Sequence, residues 1–140
     1  MKTIRSSSTH LAAIASISLA ALSGHAMAGT FKLTGDQEVP PVQTAAQGSG
    51  NITVAADGTV SGKVSTTGLT GTAAHIHVGA TGANGPVAVP LSRSGDNDWA
   101  VPEGAKLTPE QLKAYQAEGL YVNVHTAANK SGEIRAQLKP

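Results

Sequence analysis

The feature that most constrains this chain is a series of short stretches in which apolar and polar residues alternate, separated by turn residues. The clearest case is Asp57-Gly58, which stands between alternating stretches at 50–55 and 59–66. An Asp-Gly pair in this setting is the strongest short-range signal for a β-hairpin. Short strands that recur with turn signals between them predict a sandwich or a barrel.

One helix interrupts the strands. Thr108 is placed as its N-cap, Pro109 occupies the first helical position, and Gln111 completes a capping box. We expect Gly119 to end the helix in a left-handed conformation. The prediction is an all-β fold, an antiparallel Greek-key β-sandwich of about eight strands with one short helix (109–118). The other predicted strands lie at 30–33, 73–78, 86–91, 98–101, 120–125 and 133–138.

The first 28 residues have the three-part pattern of a secretory signal. Lys2 and Arg5 precede an apolar run at 11–22, and Ala26-Met27-Ala28 provides small residues for a signal peptidase. The run is shorter than the ~20 residues that a membrane-spanning helix needs. We therefore predict a Sec-type signal peptide over residues 1–28, cleaved near Ala28. The product would be periplasmic or secreted, with no membrane attachment after cleavage.

Removal of this segment changes the charge of the chain. The full sequence has ten basic and nine acidic residues, a net charge of +1. Without Lys2 and Arg5, eight basic residues face the same nine acidic ones, and the net charge becomes −1. No basic patch remains that would favour nucleic acid as a partner. The chain has no cysteine, which excludes disulfides and a thiolate-bound copper centre.

The three histidines of residues 29–140 are the candidate metal ligands. His75 and His77 alternate with Ala74, Ile76 and Val78, so both imidazoles face away from the apolar side of their strand. They are about 7 Å apart along the strand and point the same way. His125 lies opposite the core side of its own strand. If the two strands pair, the three imidazoles form a site suited to copper or zinc with one position open.

Nearby charged residues leave alternatives open. Glu133, Glu38 or Asp36 could add an oxygen ligand, or accept a hydrogen bond from an imidazole. Glu133 and Arg135, two apart on the last strand, are interpreted as a weak surface ion pair. The histidines themselves could be ordinary polar-face residues, hydrogen-bonded to loop backbone.

Several motifs together resemble the CHRD domain, named after chordin. The resemblance covers essentially all of residues 29–140 and implies an exported β-sandwich of the bacterial single-domain type. The His-x-His strand is also similar to the copper strand of copper/zinc superoxide dismutases, but the chain lacks their cysteines and further histidines. The motifs are Gly35–Val42, Ala74–Gly79, Gly82–Val87, Leu107-Thr108, Leu120–Thr126 and Gly132–Leu138.

Three classes of function follow from this sequence. The first is a periplasmic module that binds a metal ion through His75, His77 and His125. The second is a structural or protein-interaction module of the cell envelope, with a protein partner that the sequence does not identify. An enzyme is the third: no Gly-x-Ser-x-Gly elbow or cysteine nucleophile is present, but a three-histidine metal could activate water. The sequence favours a protein that is not an enzyme.

Overall fold

The computed structural model describes residues 29–140, which form two antiparallel sheets packed face to face. The predicted signal peptide lies outside the described residues. The predicted antiparallel β-sandwich with one short helix is confirmed. Among the described residues, no helix combines the length and the apolar character needed to cross a membrane.

The first sheet has the strand order β1-β2-β3-β7-β6, and the second has the order β5-β4-β8-β9. The chain crosses between the sheets from β3 to β4, from β5 to β6, and from β7 through the helix α1 to β8. The strands are β1 (Thr30–Leu33), β2 (Gln47–Val54), β3 (Val60–Thr67), β4 (Gly71–Val78), β5 (Val87–Pro90), β6 (Ser92–Arg93), β7 (Asp98–Ala100), β8 (Leu120–Thr126) and β9 (Ile134–Leu138); a 3-10 turn covers Gly35–Gln37 and α1 covers Pro109–Gln116.

The predicted hairpin at Asp57-Gly58 is confirmed, since β2 and β3 pair from Gln47 with Thr67 to Val54 with Val60. The two-residue strand β6 is an addition to the prediction. At one edge the sheets are joined, because Thr34 and Arg135 exchange two backbone hydrogen bonds of 3.1 and 3.0 Å. This link carries the segment after β1 across the outer face of the second sheet.

The core lies between the sheets and uses the apolar side of each alternating strand. In the second sheet it takes Ala74 and Ile76 from β4, Val122 and Val124 from β8, and Ile134 from β9, all at most 1% exposed. The predicted inward faces of these strands are therefore confirmed. His75, His77 and His125 lie on the outer face of the same sheet, as expected from the alternation.

The end of α1 differs from the prediction. The helix ends at Gln116, two residues early, and Glu118 rather than Gly119 has the left-handed conformation, with φ of 58°. Glu118 N–H donates to Tyr115 and Gly119 N–H to Ala114, at 2.9 and 2.7 Å, the hydrogen bonds of a Schellman motif. Glycine is needed at 119 for space, because a Cβ there would lie 2.9 Å from the Ala114 carbonyl oxygen.

Candidate metal centre

Strand pairing in the second sheet brings the three histidines together. In the β4–β8 register, His75 stands opposite Asn123, His77 opposite Tyr121, and Ala73 opposite His125. A β-bulge between Ile76 and His77 in the pairing with β5 locally changes the course of β4. The predicted convergence of His75, His77 and His125 is confirmed.

The three imidazoles offer nitrogen atoms that all lie within 4.8 Å of one another. The shortest separation is 2.9 Å, between Nδ1 of His75 and Nε2 of His125. Tetrahedral zinc with bonds of about 2.0–2.1 Å places its nitrogen ligands about 3.3 Å apart. The rings therefore need to move by about 1.5 Å or less to bind one ion.

Two backbone carbonyls determine which nitrogen carries the proton in two of the rings. Nδ1 of His77 lies 3.0 Å from the Gly85 oxygen, and Nδ1 of His125 lies 2.8 Å from the Lys130 oxygen. A carbonyl only accepts, so both Nδ1 atoms are N–H donors and both Nε2 atoms of the neutral rings keep their lone pair. A backbone acceptor behind a histidine is the usual way in which proteins orient a metal ligand.

Burial lowers the pKa of two of the imidazoles, those of His75 and His77. Burial is the main effect that lowers the pKa of His75, and the neighbouring rings of His125 and His77 lower it further. Burial also lowers the pKa of His77, although the hydrogen bond to Gly85 opposes this. Neutral imidazole is the form that binds a metal ion. The lowered pKa values of His75 and His77 therefore favour the metal-binding form of these two rings.

The His77 ring stacks on the ring of Tyr121, which in turn stacks on the guanidinium group of Arg135. The ring of Tyr121 is nearly parallel to the His77 ring, with an interplanar angle of 3° and centroids 4.8 Å apart. The guanidinium carbon of Arg135 lies 3.4 Å from the centroid of Tyr121. His77 comes from β4 and Arg135 from β9, the strands on either side of β8. The stack fixes the plane of the His77 imidazole.

Arg135 also holds the 79–85 loop that carries the Gly85 carbonyl. Its Nη2 donates to the carbonyls of Ala80 and Ala83 at 3.1 and 2.9 Å, and its Nη1 donates to Oδ1 of Asn84 at 3.3 Å. Gly85 must be glycine here, because a Cβ would collide with the Val78 carbonyl. Arg135 is only 1% exposed. It acts through this loop on the orientation of His77.

The interpretation of Glu133 and Arg135 as a surface ion pair is wrong. Among the described residues no carboxylate forms a salt bridge with Arg135, which is covered by the 79–85 loop. Glu133 instead accepts hydrogen bonds from the hydroxyls of Thr126 and Thr44, at 2.6 and 2.8 Å. The Thr126 hydroxyl is the main cause of the lowered pKa of Glu133.

The carboxylates considered as oxygen ligands do not join the histidine group in the described part of the chain. Asp36 is exposed in the 3-10 turn. Glu38 is 4% exposed, and its atom Oε1 has no hydrogen-bond partner. Burial raises the pKa of Glu38 to about 7, against the opposing charge of Arg135 and the amide of Asn123. Glu38 is thus a buried acid beside the site.

Sequence reasoning gave no role to Tyr121 and Asn123, and misplaced Arg135. The alternation of residues places all three on the polar side of their strands, yet all three are at most 2% exposed. The alternation of residues predicts which side of a strand is polar. It does not predict that the segments at 34–46, 79–86 and 127–133 cover that side.

Fold and site together define a small β-sandwich domain with a three-histidine cluster on a covered outer sheet face. The CHRD domain family matches residues 29–138 of the chain. The chain belongs to this family, which confirms the resemblance seen in the sequence. Comparison with curated proteins and with solved structures finds no match.

Proposed function

We propose that this protein is an exported CHRD-domain protein that binds one divalent zinc or copper ion through His75, His77 and His125. The observation that carries the proposal is the grouping of three imidazole nitrogens within 4.8 Å. The Gly85 and Lys130 carbonyls add to it, because they leave a lone pair on Nε2 of His77 and of His125. Export is proposed from the signal pattern of residues 1–28.

The donor set favours these two metals. Imidazole is a borderline ligand that suits zinc and Cu(II), whereas magnesium and calcium prefer oxygen. His75 and His125 are joined by a hydrogen bond at 2.9 Å, and a cation would replace the proton between them. His75 would then bind through Nδ1 and carry its proton on Nε2. His77 and His125 would both bind through Nε2.

One experiment tests the whole proposal. The full chain, without a histidine tag, is expressed in a Gram-negative host, and the periplasmic product is analysed by intact mass and by metal content. We expect a mass that corresponds to cleavage near Ala28, and about one equivalent of metal. In titration calorimetry with Zn(II) and Cu(II), a His75→Ala/His77→Ala variant should bind at least about 100-fold more weakly.

A thermal readout and a matched control complete the test. A metal concentration 100 times Kd adds about 2.7 kcal/mol to the free energy of unfolding, which raises Tm by roughly 10 °C in a domain of this size. Thr72→Ala is the control, because the Thr72 hydroxyl contacts the cluster only through the backbone carbonyl of His125, at 3.2 Å. If the wild type and the double variant bind equally, the metal proposal fails.

A further inference from the structure

We infer that Asn123 supplies a fourth ligand, its side-chain oxygen Oδ1, to a divalent ion held by the three histidines. The inference rests on the proposed metal-binding function. Asn123 lies outside the histidine group. With it, the predicted donor set changes from three nitrogens to three nitrogens and one oxygen.

Strand register places Asn123 in the middle of the cluster. It stands directly opposite His75 in the β4–β8 pair and two residues before His125 on the same face of β8. His77 is its diagonal neighbour on β4. Directly opposed side chains have Cβ atoms about 4.5–5.5 Å apart, and diagonal ones are still within reach of long side chains. Asn123 is the one position of this sheet face that adjoins all three histidines.

The nitrogen Nδ2 of the Asn123 side chain fixes the orientation of the amide. Nδ2 donates a hydrogen bond of 3.2 Å to the Ser131 carbonyl. The opposite amide orientation would place two acceptor oxygens against each other. Oδ1 therefore points away from Ser131. The side chain is 1% exposed, so neither end reaches bulk solvent.

Two buried acceptors in the cluster have no partner among the described residues. They are Nε2 of His77 and Oδ1 of Asn123. Nε2 has a lone pair because Nδ1 of the same ring donates to Gly85. A buried acceptor without a donor destabilises the folded state, and native proteins rarely tolerate it. One cation bound by both atoms removes both costs.

Asn123 and His77 are close enough to interact. The Asn123 side chain lies within hydrogen-bonding distance of the His77 imidazole. A metal ion between them would accept the lone pairs of Nε2 and Oδ1 together. Three imidazole nitrogens and one neutral amide oxygen form a four-ligand set whose donor types suit zinc or Cu(II).

Two substitutions at this position separate the role of the oxygen from that of the rest of the side chain. Asn123→Leu keeps the size of the side chain and removes the oxygen, and we expect Zn(II) affinity to fall by about 10- to 100-fold. Asn123→Asp keeps an oxygen for the ion, but its second oxygen faces the Ser131 carbonyl, so we expect affinity to stay within about tenfold of the wild type. Asn51→Leu, an exposed asparagine on the other sheet, is the matched control and should change nothing.

Two spectroscopic measurements test the fourth ligand without the Asn123→Leu variant, and the first uses the wild-type chain. Zinc saturation should shift the side-chain 13Cγ and 15Nδ2 resonances of Asn123 and leave those of Asn51 in place. In Cu(II) electron paramagnetic resonance, Asn123→Asp should change the copper hyperfine coupling. If Asn123→Leu does not fold, the Asn123 resonance shifts and the copper hyperfine coupling decide whether Asn123 binds the ion.

The two proposals fail in different ways. Metal binding by the wild type, with equal affinity in both Asn123 variants and static Asn123 resonances, overturns the fourth ligand and leaves the three-histidine site intact. No metal binding by the wild type overturns the proposed function, and the fourth ligand with it.

Discussion

Glu38 offers a direct test of how strongly the covered face excludes water. We expect Glu38→Gln to stabilise the protein at high pH and to have little effect at low pH. The carboxyl is 4% exposed, and burial raises its pKa from 4.5 to about 7. Glutamine has nearly the shape of the protonated acid and cannot ionise. The variant therefore removes only the cost of a buried negative charge.

The sign and size follow from proton linkage. Between about pH 4.5 and 7 the folded state keeps a proton on Glu38 that the unfolded chain has released. The free energy of unfolding therefore falls as pH rises through this window. A difference of 2.5 pKa units at 1.36 kcal/mol each gives about 3 kcal/mol. The lowered pKa values of His75 and His77 act in the opposite direction below pH 6.5, but they are common to both proteins and cancel in the comparison.

The assay is urea unfolding with a chelator present, followed by the fluorescence of Trp99, the single tryptophan, which is 3% exposed. The variant and the wild type should agree within about 1 kcal/mol near pH 4, and the variant should be more stable by about 3 kcal/mol at pH 8. Glu103→Gln, at an exposed position, is the control and should give a small difference at every pH. A Glu38→Gln difference that stays constant from pH 4 to 8 would refute the reasoning.

Two further predictions concern the residues that cover and clamp the site. Gly132→Ala should destabilise the protein by more than about 3 kcal/mol in urea unfolding, because Gly132 has φ of 132° and a Cβ would collide with Glu38 and Asn123. Gly82→Ala, with φ of 82° and open space around it, should lose only about 1–2 kcal/mol; equal losses would contradict the collision. Arg135→Lys should lose about 2–4 kcal/mol and speed amide hydrogen exchange in the 79–85 loop, because lysine cannot reproduce the fork of donors. Unchanged exchange in that loop would show that Arg135 does not clamp it.

The sequence was sufficient to predict the sandwich and the faces of its strands. Alternation is a local property, so the sides of β4, β8 and β9 could be assigned without knowing their partners. The convergence of His75, His77 and His125 needed one added assumption, the pairing of β4 with β8. That pairing is the observed one.

The sequence-based predictions failed where contacts between segments distant in the sequence determine the burial or the backbone conformation of a residue. Arg135 alternates with core residues as an exposed arginine would, yet two loops bury it. At the end of α1 the glycine at 119 indicated the correct motif, but its space requirement was mistaken for a left-handed conformation, which Glu118 adopts. The alternation in β8 indicates the correct face for Asn123, but it contains no signal that the side-chain oxygen is buried without a donor.

The strands and the loops of this site have separate tasks. The strands place three imidazoles on one face, and any pair of strands with a His-x-His segment on one and a third histidine diagonally across on the other could do so. The loops bury that face, which lowers the pKa values of His75 and His77 and raises that of Glu38, because desolvation disfavours every charged form. The loops also supply the Gly85 and Lys130 carbonyls that decide which nitrogen of His77 and of His125 carries the lone pair. Changes in the loops should therefore alter the affinity of the proposed metal site while the three histidines stay in place.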